Sequence, residues 1–358
     1  MTPPDRKKAL CILTASQNQG LQQAFSIKKM RSPYVTYSKN VFIPLTKVCR
    51  NACGYCIFRK EPQPDNNILK KETIIQLLRK AESFKCTEVL FTCGEKPEVY
   101  PAVERELKEM GYTSLIEYVR DLCEYIVRKT SLFPHSNGGV LTKEEISMLK
   151  PFSASMGLML ENSSPRLMST KAHRFSPGKH PALRLETLEL AGKCNIPFTT
   201  GILVGIGETD LEIYRSLLDI QRIQNKYHHI QEIIIQNFKP KPETPMETFR
   251  PVSLTKLVNI VVLARLMFPD TSIQVPPNLN RGDIARLLKA GADDLGGISP
   301  VTPDYINPEY PWPALNELPF EKRERLCVYP KYISKEYLSD ELYEKARSIT
   351  DEEGYVMT

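Results

Sequence analysis

The chain has 358 residues, enough for one large α/β barrel or two ordinary domains, and its 41% hydrophobic and 25% charged residues are those of a globular protein. No window carries the unbroken apolar run of a membrane span and the first residues lack a signal peptide's long apolar stretch, so no membrane contact and a cytoplasmic location are expected. A formal net charge of +6, from 48 basic and 42 acidic residues, forms no basic block that could track a phosphate backbone, so nucleic acid is not an expected partner.

In chain order, a helix is expected in the first thirty-odd residues. Apolar β-rich runs then recur at 41–46, 88–93, 132–136, 154–160, 197–204, 232–238, 272–275 and 294–298. Helical periodicity fills the intervals at 70–83, 114–128, 143–149, 182–193, 210–224, 254–267 and 283–290. Thr142 with Glu145, and Ser253 before an apolar-periodic run, mark helix starts. Eight βα repeats predict an α/β fold of the TIM type, a closed (β/α)8 barrel. The expected division is one main domain over 37–299, an N-terminal helical extension over 1–36, and a C-terminal tail over 300–358 packing on the barrel. That tail is rich in Pro and Tyr and then becomes charged and helical; its sequence fits a cover for the barrel mouth or a docking surface equally well. In a parallel barrel, function is sought in the loops at the C-terminal ends of the strands.

The first such loop, KVCRNACGYCIFRK, carries Cys49, Cys53 and Cys56 in a C-x3-C-x2-C spacing. Nine cysteines is an odd number, and a chain with its own core needs no disulfide framework, so the clustered ones point to metal or thiol chemistry. Cys11, Cys123, Cys194 and Cys327 are read as small buried or half-buried side chains. Three thiolates on one short loop can ligate three irons of a 4Fe-4S cubane and leave the fourth iron open. An open iron can chelate the amino and carboxylate groups of S-adenosylmethionine (SAM). The competing reading, a zinc site, wants a fourth ligand that this loop does not offer. A plain electron-transfer protein would instead fill all four positions.

At these residues the chain resembles the radical SAM superfamily, whose signature is this loop after the first barrel strand. The resemblance implies SAM contacts at Thr92, Gly94 and Glu95, with Cys93 standing where the family has a glycine. It further implies contacts at Glu161 for the ribose, at Arg184 for the SAM carboxylate, and at Gly205 and Glu208 of a G-x-I-x-G-x-x-E-like motif in which Leu203 replaces Ile. Tyr55 is expected beside the adenine. Longer segments, among them FPHSNGGVL, MGLMLENSSPRL and DDLGGISPVTPDYINPEYPWP, resemble the CofG family of deazaflavin (FO) synthases between about residues 37 and 313.

This narrower resemblance implies a lyase-type cyclisation of a tyrosine-derived ribityl-uracil adduct, supplied by a CofH-type partner subunit, with loss of ammonia and an external electron donor. Biotin-synthase-like and menaquinone-pathway enzymes share the loop and barrel and are the rivals within the class. For the substrate, polar residues at strand ends are the candidates: Asn137, Asn237, Gln274, Asn278 and Ser299. His135 is expected to move a proton, because imidazole titrates near neutrality. His228 and His229 fall at the opposite rim and are read as structural, and Lys239 and Lys241 as solvated loop charges.

Overall fold

The computed structural model describes residues 3–16, 20–318 and 320–357; the outermost residues of the expected extension and tail, and residues 17–19 and 319 inside them, lie outside the described residues. Helices α1 (Arg6–Thr14) and α2 (Leu21–Arg31) precede a long first strand, β1 (Val35–Thr46). There follow α3 (Lys71–Ser83), β2 (Glu88–Cys93), α4 (Pro101–Glu109), α5 (Leu115–Lys129), β3 (Phe133–Asn137), α6 (Lys143–Leu149), β4 (Ser155–Gly157) and α7 (Pro181–Lys193). The second half runs β5 (Phe198–Val204), α8 (Asp210–Tyr227), β6 (Ile230–Asn237), α9 (Leu254–Met267), β7 (Ser272–Gln274), α10 (Ile284–Lys289) and β8 (Asp294–Ile298), and ends with β9 (Lys322–Glu324) and α11 (Asp340–Ile349).

Strands β1 to β8 pair in parallel and in sequence order, and β1 closes the barrel against both β2 and β8. Because helices cover the outside, a strand such as β5 is buried at every position. The expected helix starts are present: Thr142 and Glu145 form a reciprocal capping box, and the Ser253 side chain accepts the Lys256 N–H. Helix α9 is apolar on all sides and buried from Leu257 to Met267, and α1 and α2 pack over it, which explains the N-terminal extension.

The tail closes the barrel from below. Strand β9 pairs with Val35, Thr36 and Tyr37 at the start of β1, and the residues after it cross the N-terminal ends of the strands. Arg325 there donates two hydrogen bonds to Asp294, at 2.7 and 2.8 Å, and one to Glu232 at 3.3 Å. Tyr329 donates to Glu232 at 2.8 Å, and the Gln231 amide holds the strap through Cys327 O and Tyr329 N–H. Burial and Arg325 act in opposite directions on the two acids: Glu232 is pushed up, whereas Asp294, gripped by both arms of the guanidinium, is held down.

Removing one partner of such a buried network strands the others without compensation. Arg325→Leu is therefore expected to lower stability by about 3–5 kcal/mol, read as an earlier midpoint in chemical denaturation, whereas Arg128→Leu on the exposed face of α5 should leave the midpoint nearly unmoved.

Candidate active site

A cavity of about 380 Å³ runs down the barrel interior from the loops at the C-terminal strand ends to the Arg325 floor. Cys49, Cys53 and Cys56 line its upper wall together. Their loop is stapled to three neighbours by backbone hydrogen bonds: Arg50 N–H to Glu95 O, Ala52 N–H to Phe175 O, Gly54 N–H to Ala172 O, and Met246 N–H to Gly54 O, all between 2.9 and 3.1 Å. Glycine is required at two of these close approaches, since a Cβ at Gly54 would overlap the Lys171 carbonyl and one at Gly94 the Val48 carbonyl.

The sulfurs already have the surroundings of metal thiolates. Cys49 Sγ accepts from Asn51 N–H at 3.4 Å and Glu95 N–H at 3.2 Å, and Cys53 Sγ from Ser176 Oγ at 3.3 Å. Burial pushes the Cys49 and Cys53 thiols up, a tendency that those donors and Lys179 oppose. A bound cation displaces the proton and reverses the effect of burial. Among the described residues, no three His, Cys, Asp or Glu side chains form a group that could hold a metal ion. The three thiols do share one cavity wall, as three ligands of a cubane must.

Beside the loop, Glu95 is buried and fully engaged. Its carboxylate accepts from Arg50 at 2.8 Å and from Val140 N–H at 3.2 Å, and lies 3.7 Å from Arg184. Burial alone would raise it, but Arg184 and Arg50 hold it below the usual carboxylate range. Arg184, 3% exposed, also donates to the carbonyls of Gly178 and Met159. Glu161 sits in the left-handed region at φ 65°, bridged to β5 at Ile202 and paired with Lys179; that pair, with Arg184, holds it down against burial. Tyr55 lines the cavity with its hydroxyl 3.1 Å from His173 Nε2.

Thr92, Asn137, Asn237, Gln274, Asn278 and His135 all face the cavity. Gly205, Glu208 and Ser299 do not. The Glu208 carboxylate accepts the N–H groups of Gly205 and Ile206 at 2.7 and 2.8 Å, shaping the turn after β5, and Ser299 accepts those of Val301 and Thr302. His135, expected to move a proton, is buried and 2.7 Å from Ser155 Oγ, and burial, with Arg325 nearby, pushes it down to about 3. Lys241 is corrected, since it is buried in the cavity wall with its ammonium on the Ile306 carbonyl. Cys11 is exposed rather than buried. His228 caps α8 and His229 is fully buried, both structural as expected. Sequence reasoning missed Lys179, Glu88, Glu232, Arg325 and Trp312, all of which line the cavity.

A parallel eight-stranded barrel with this three-cysteine loop after its first strand is a radical SAM protein, a class that works with a 4Fe-4S cluster and SAM, and the radical SAM superfamily model matches residues 43–220. Within that class, the chain belongs to the 7,8-didemethyl-8-hydroxy-5-deazariboflavin synthase family. It is 52% identical over 319 residues to the synthase of Methanocaldococcus jannaschii, covering 87% of this chain and 88% of that one. It is 51% identical over 322 residues to that of Methanothermobacter thermautotrophicus, covering 88% and 98%. Among solved structures, the FeFe-hydrogenase maturase HydG from Carboxydothermus hydrogenoformans superposes with a TM-score of 0.73 at 19% identity, covering 96% of this chain and 84% of that one. Methylornithine synthase (PylB) does so at 0.66 and 21%, covering 84% of each chain. These two share the fold.

The His135 reading has a measurable consequence. Its folded value, about 3, lies below the 6.5 of a free imidazole, so the unfolded chain takes up the proton first. Stability drawn from this residue is complete above that free value and drains away as pH falls through it toward 3. His135→Gln should therefore flatten the acid limb of a stability-against-pH curve, and the His135 ring proton resonances should not titrate between about pH 5 and 9.

Proposed function

We propose that this chain converts 5-amino-5-(4-hydroxybenzyl)-6-(D-ribitylimino)-5,6-dihydrouracil to 7,8-didemethyl-8-hydroxy-5-deazariboflavin, closing the third ring with loss of ammonia and consuming SAM to methionine and 5′-deoxyadenosine. The observation that carries this reading is one shared cavity: the three cysteines at its top open onto a polar interior suited to a hydroxylated pyrimidine rather than to a purely apolar ligand.

Cys49, Cys53 and Cys56 would hold the cluster. When bound, the cluster supplies the electron that splits SAM into methionine and a hydrogen-abstracting 5′-deoxyadenosyl radical. The chain's own residues bind and orient. The Thr92, Gly94 and Glu95 segment offers its backbone to the SAM amino group, because the Glu95 carboxylate is committed to Arg50 and Arg184. Arg184 places positive charge beside the SAM carboxylate, Glu161 faces the ribose, and Tyr55 flanks the adenine. Gly205 and Glu208 set the turn that borders the adenine.

Asn137, Asn237, Gln274 and Asn278 hold the substrate by hydrogen bonds, and His135 contributes a neutral ring. Asn278 is already half prepared for this: its amide nitrogen is held by Asp304 and Tyr310 O while its oxygen has no partner. Ser299 acts at one remove, fixing the loop after β8. A CofH-type subunit supplies the adduct and an external carrier the electron, in the cytoplasm; no helix among the described residues is long and apolar enough to cross a membrane.

Anaerobically reconstituted protein given the adduct, SAM and a chemical reductant should yield a fluorescent deazaflavin and 5′-deoxyadenosine. Alanine at Cys49, Cys53 or Cys56 should each abolish both products and lower the iron bound per chain. Formation of 5′-deoxyadenosine with no deazaflavin would reject this reaction and favour another member of the class, and zinc in oxygen-protected protein would reject the cluster.

A further inference from the structure

Barrels of this type ordinarily fill their interior with branched apolar layers. Here the layer beneath the cysteine loop is polar. Asn40 on β1 and Glu88 on β2 are register partners, and both line the cavity with Gln274 of β7, Glu232 of β6 and the floor guanidinium of Arg325. Two consecutive glycines on β8 leave room for the amides. A Cβ at Gly297 would overlap the Asn40 amide nitrogen, and one at Gly296 the amide of Gln274.

Asn40 is 1% exposed, and its Oδ1 has no hydrogen-bond partner. A buried amide oxygen left without a donor is costly, so this atom points to a ligand hydroxyl or N–H. Higher in the same cavity, Phe58, Leu279, Ile306 and Trp312 add flat or apolar surface among the charged and amide groups beside the cysteine loop. The cavity thus offers ring-sized surface above, and below it a layer of hydrogen-bonding side chains for the substituents.

We infer that the lower half of the barrel is a polyol subsite, in which an uncharged hydroxylated chain hangs from the substrate ring and is read by Asn40, Glu88 and Gln274 above the Arg325 floor. The inference rests on the reading that the substrate carries a ribityl chain, and it adds where that chain lies and what it must lack. Carboxyl and amide oxygens accept from hydroxyl groups, but they oppose a phosphate. Among the described residues, Arg325 is the cation that lines the bottom, and it is already bidentate on Asp294, so a chain ending in phosphate there meets a guanidinium that is not free. The rings that react are held at the height of the cysteine loop because their appendage fills the space beneath.

The test compares the reconstituted holoenzyme on three adducts that differ only in the appended chain: D-ribityl, D-ribityl 5-phosphate and n-pentyl. Wild type should prefer ribityl over either by about tenfold or more in kcat/KM, the equivalent of at least about 1.4 kcal/mol. Asn40→Leu should collapse the ribityl-over-pentyl ratio toward unity. Gly297→Ala, which displaces Asn40 without altering a polar group, should lower the same ratio, so the outcome does not depend on one variant folding. A ratio unchanged in both variants, or equal use of the phosphorylated adduct by wild type, overturns the subsite.

Should wild type form no deazaflavin from any adduct, the reaction proposed above fails separately. The subsite is then decided by equilibrium dialysis of the holoenzyme with 5-amino-6-(D-ribitylamino)uracil and its pentyl counterpart. Tighter binding of the ribityl compound that Asn40→Leu removes upholds it, and equal binding overturns it.

Discussion

The carboxylate of Glu95 ties together the parts that must meet for this site to exist. It joins the cysteine loop through Arg50, the turn after β3 through Val140 N–H and helix α7 through Arg184, while its own N–H reaches Cys49 Sγ. No side chain larger than hydrogen fits around it at two points, because a Cβ at Gly139 or Gly178 would enter its carboxylate. A buried acid between two guanidinium groups is stable only as a charged, fully bonded unit, so the surrounding backbone is held to one arrangement. The cysteine loop inherits that rigidity.

From this node the cavity extends toward two ends, each closed by buried polar contacts. At the top, the segment after β8 folds over the barrel: Asp304 takes the Asn278 amide, and the Ile306 carbonyl takes the Lys241 ammonium. At the bottom, the strap after β9 inserts Arg325 between Asp294 and Glu232. The same tail therefore supplies both ends of the cavity. The barrel itself contributes the wall between them.

The strongly patterned features were legible in the sequence. The cysteine spacing, the bounds of β2, β8, α6 and α9, and the two serine and threonine caps follow from local rules that tertiary structure did not override. Strand β1 begins six residues before its apolar run because its lower half, VTYSKN, pairs with β8 and β9, and such polar alternation does not read as a buried strand. Strand β4 is only three residues long, since the backbone beyond it turns into the left-handed conformation of Glu161. Lys241 lies in a proline-rich segment that reads as solvated, and its burial depends on a carbonyl 65 residues away. Arg325 sits in a charged stretch with no local signal, and only closure of the barrel above it creates its partners. His135 was correctly placed facing the cavity, but its titration depends on burial and on Arg325, neither of which a strand pattern reveals.

The floor strap has a consequence for how the molecule is made. The residues that seal the barrel beneath the cysteine loop follow it in the chain by the length of the whole barrel, so they are synthesised well after it. Until the strap has been made, the acidic lower layer has no floor to shield it from water. Iron delivered to the nascent loop would enter an unfinished container, and a chain released short of that strap would carry its ligands in a barrel that cannot hold out solvent.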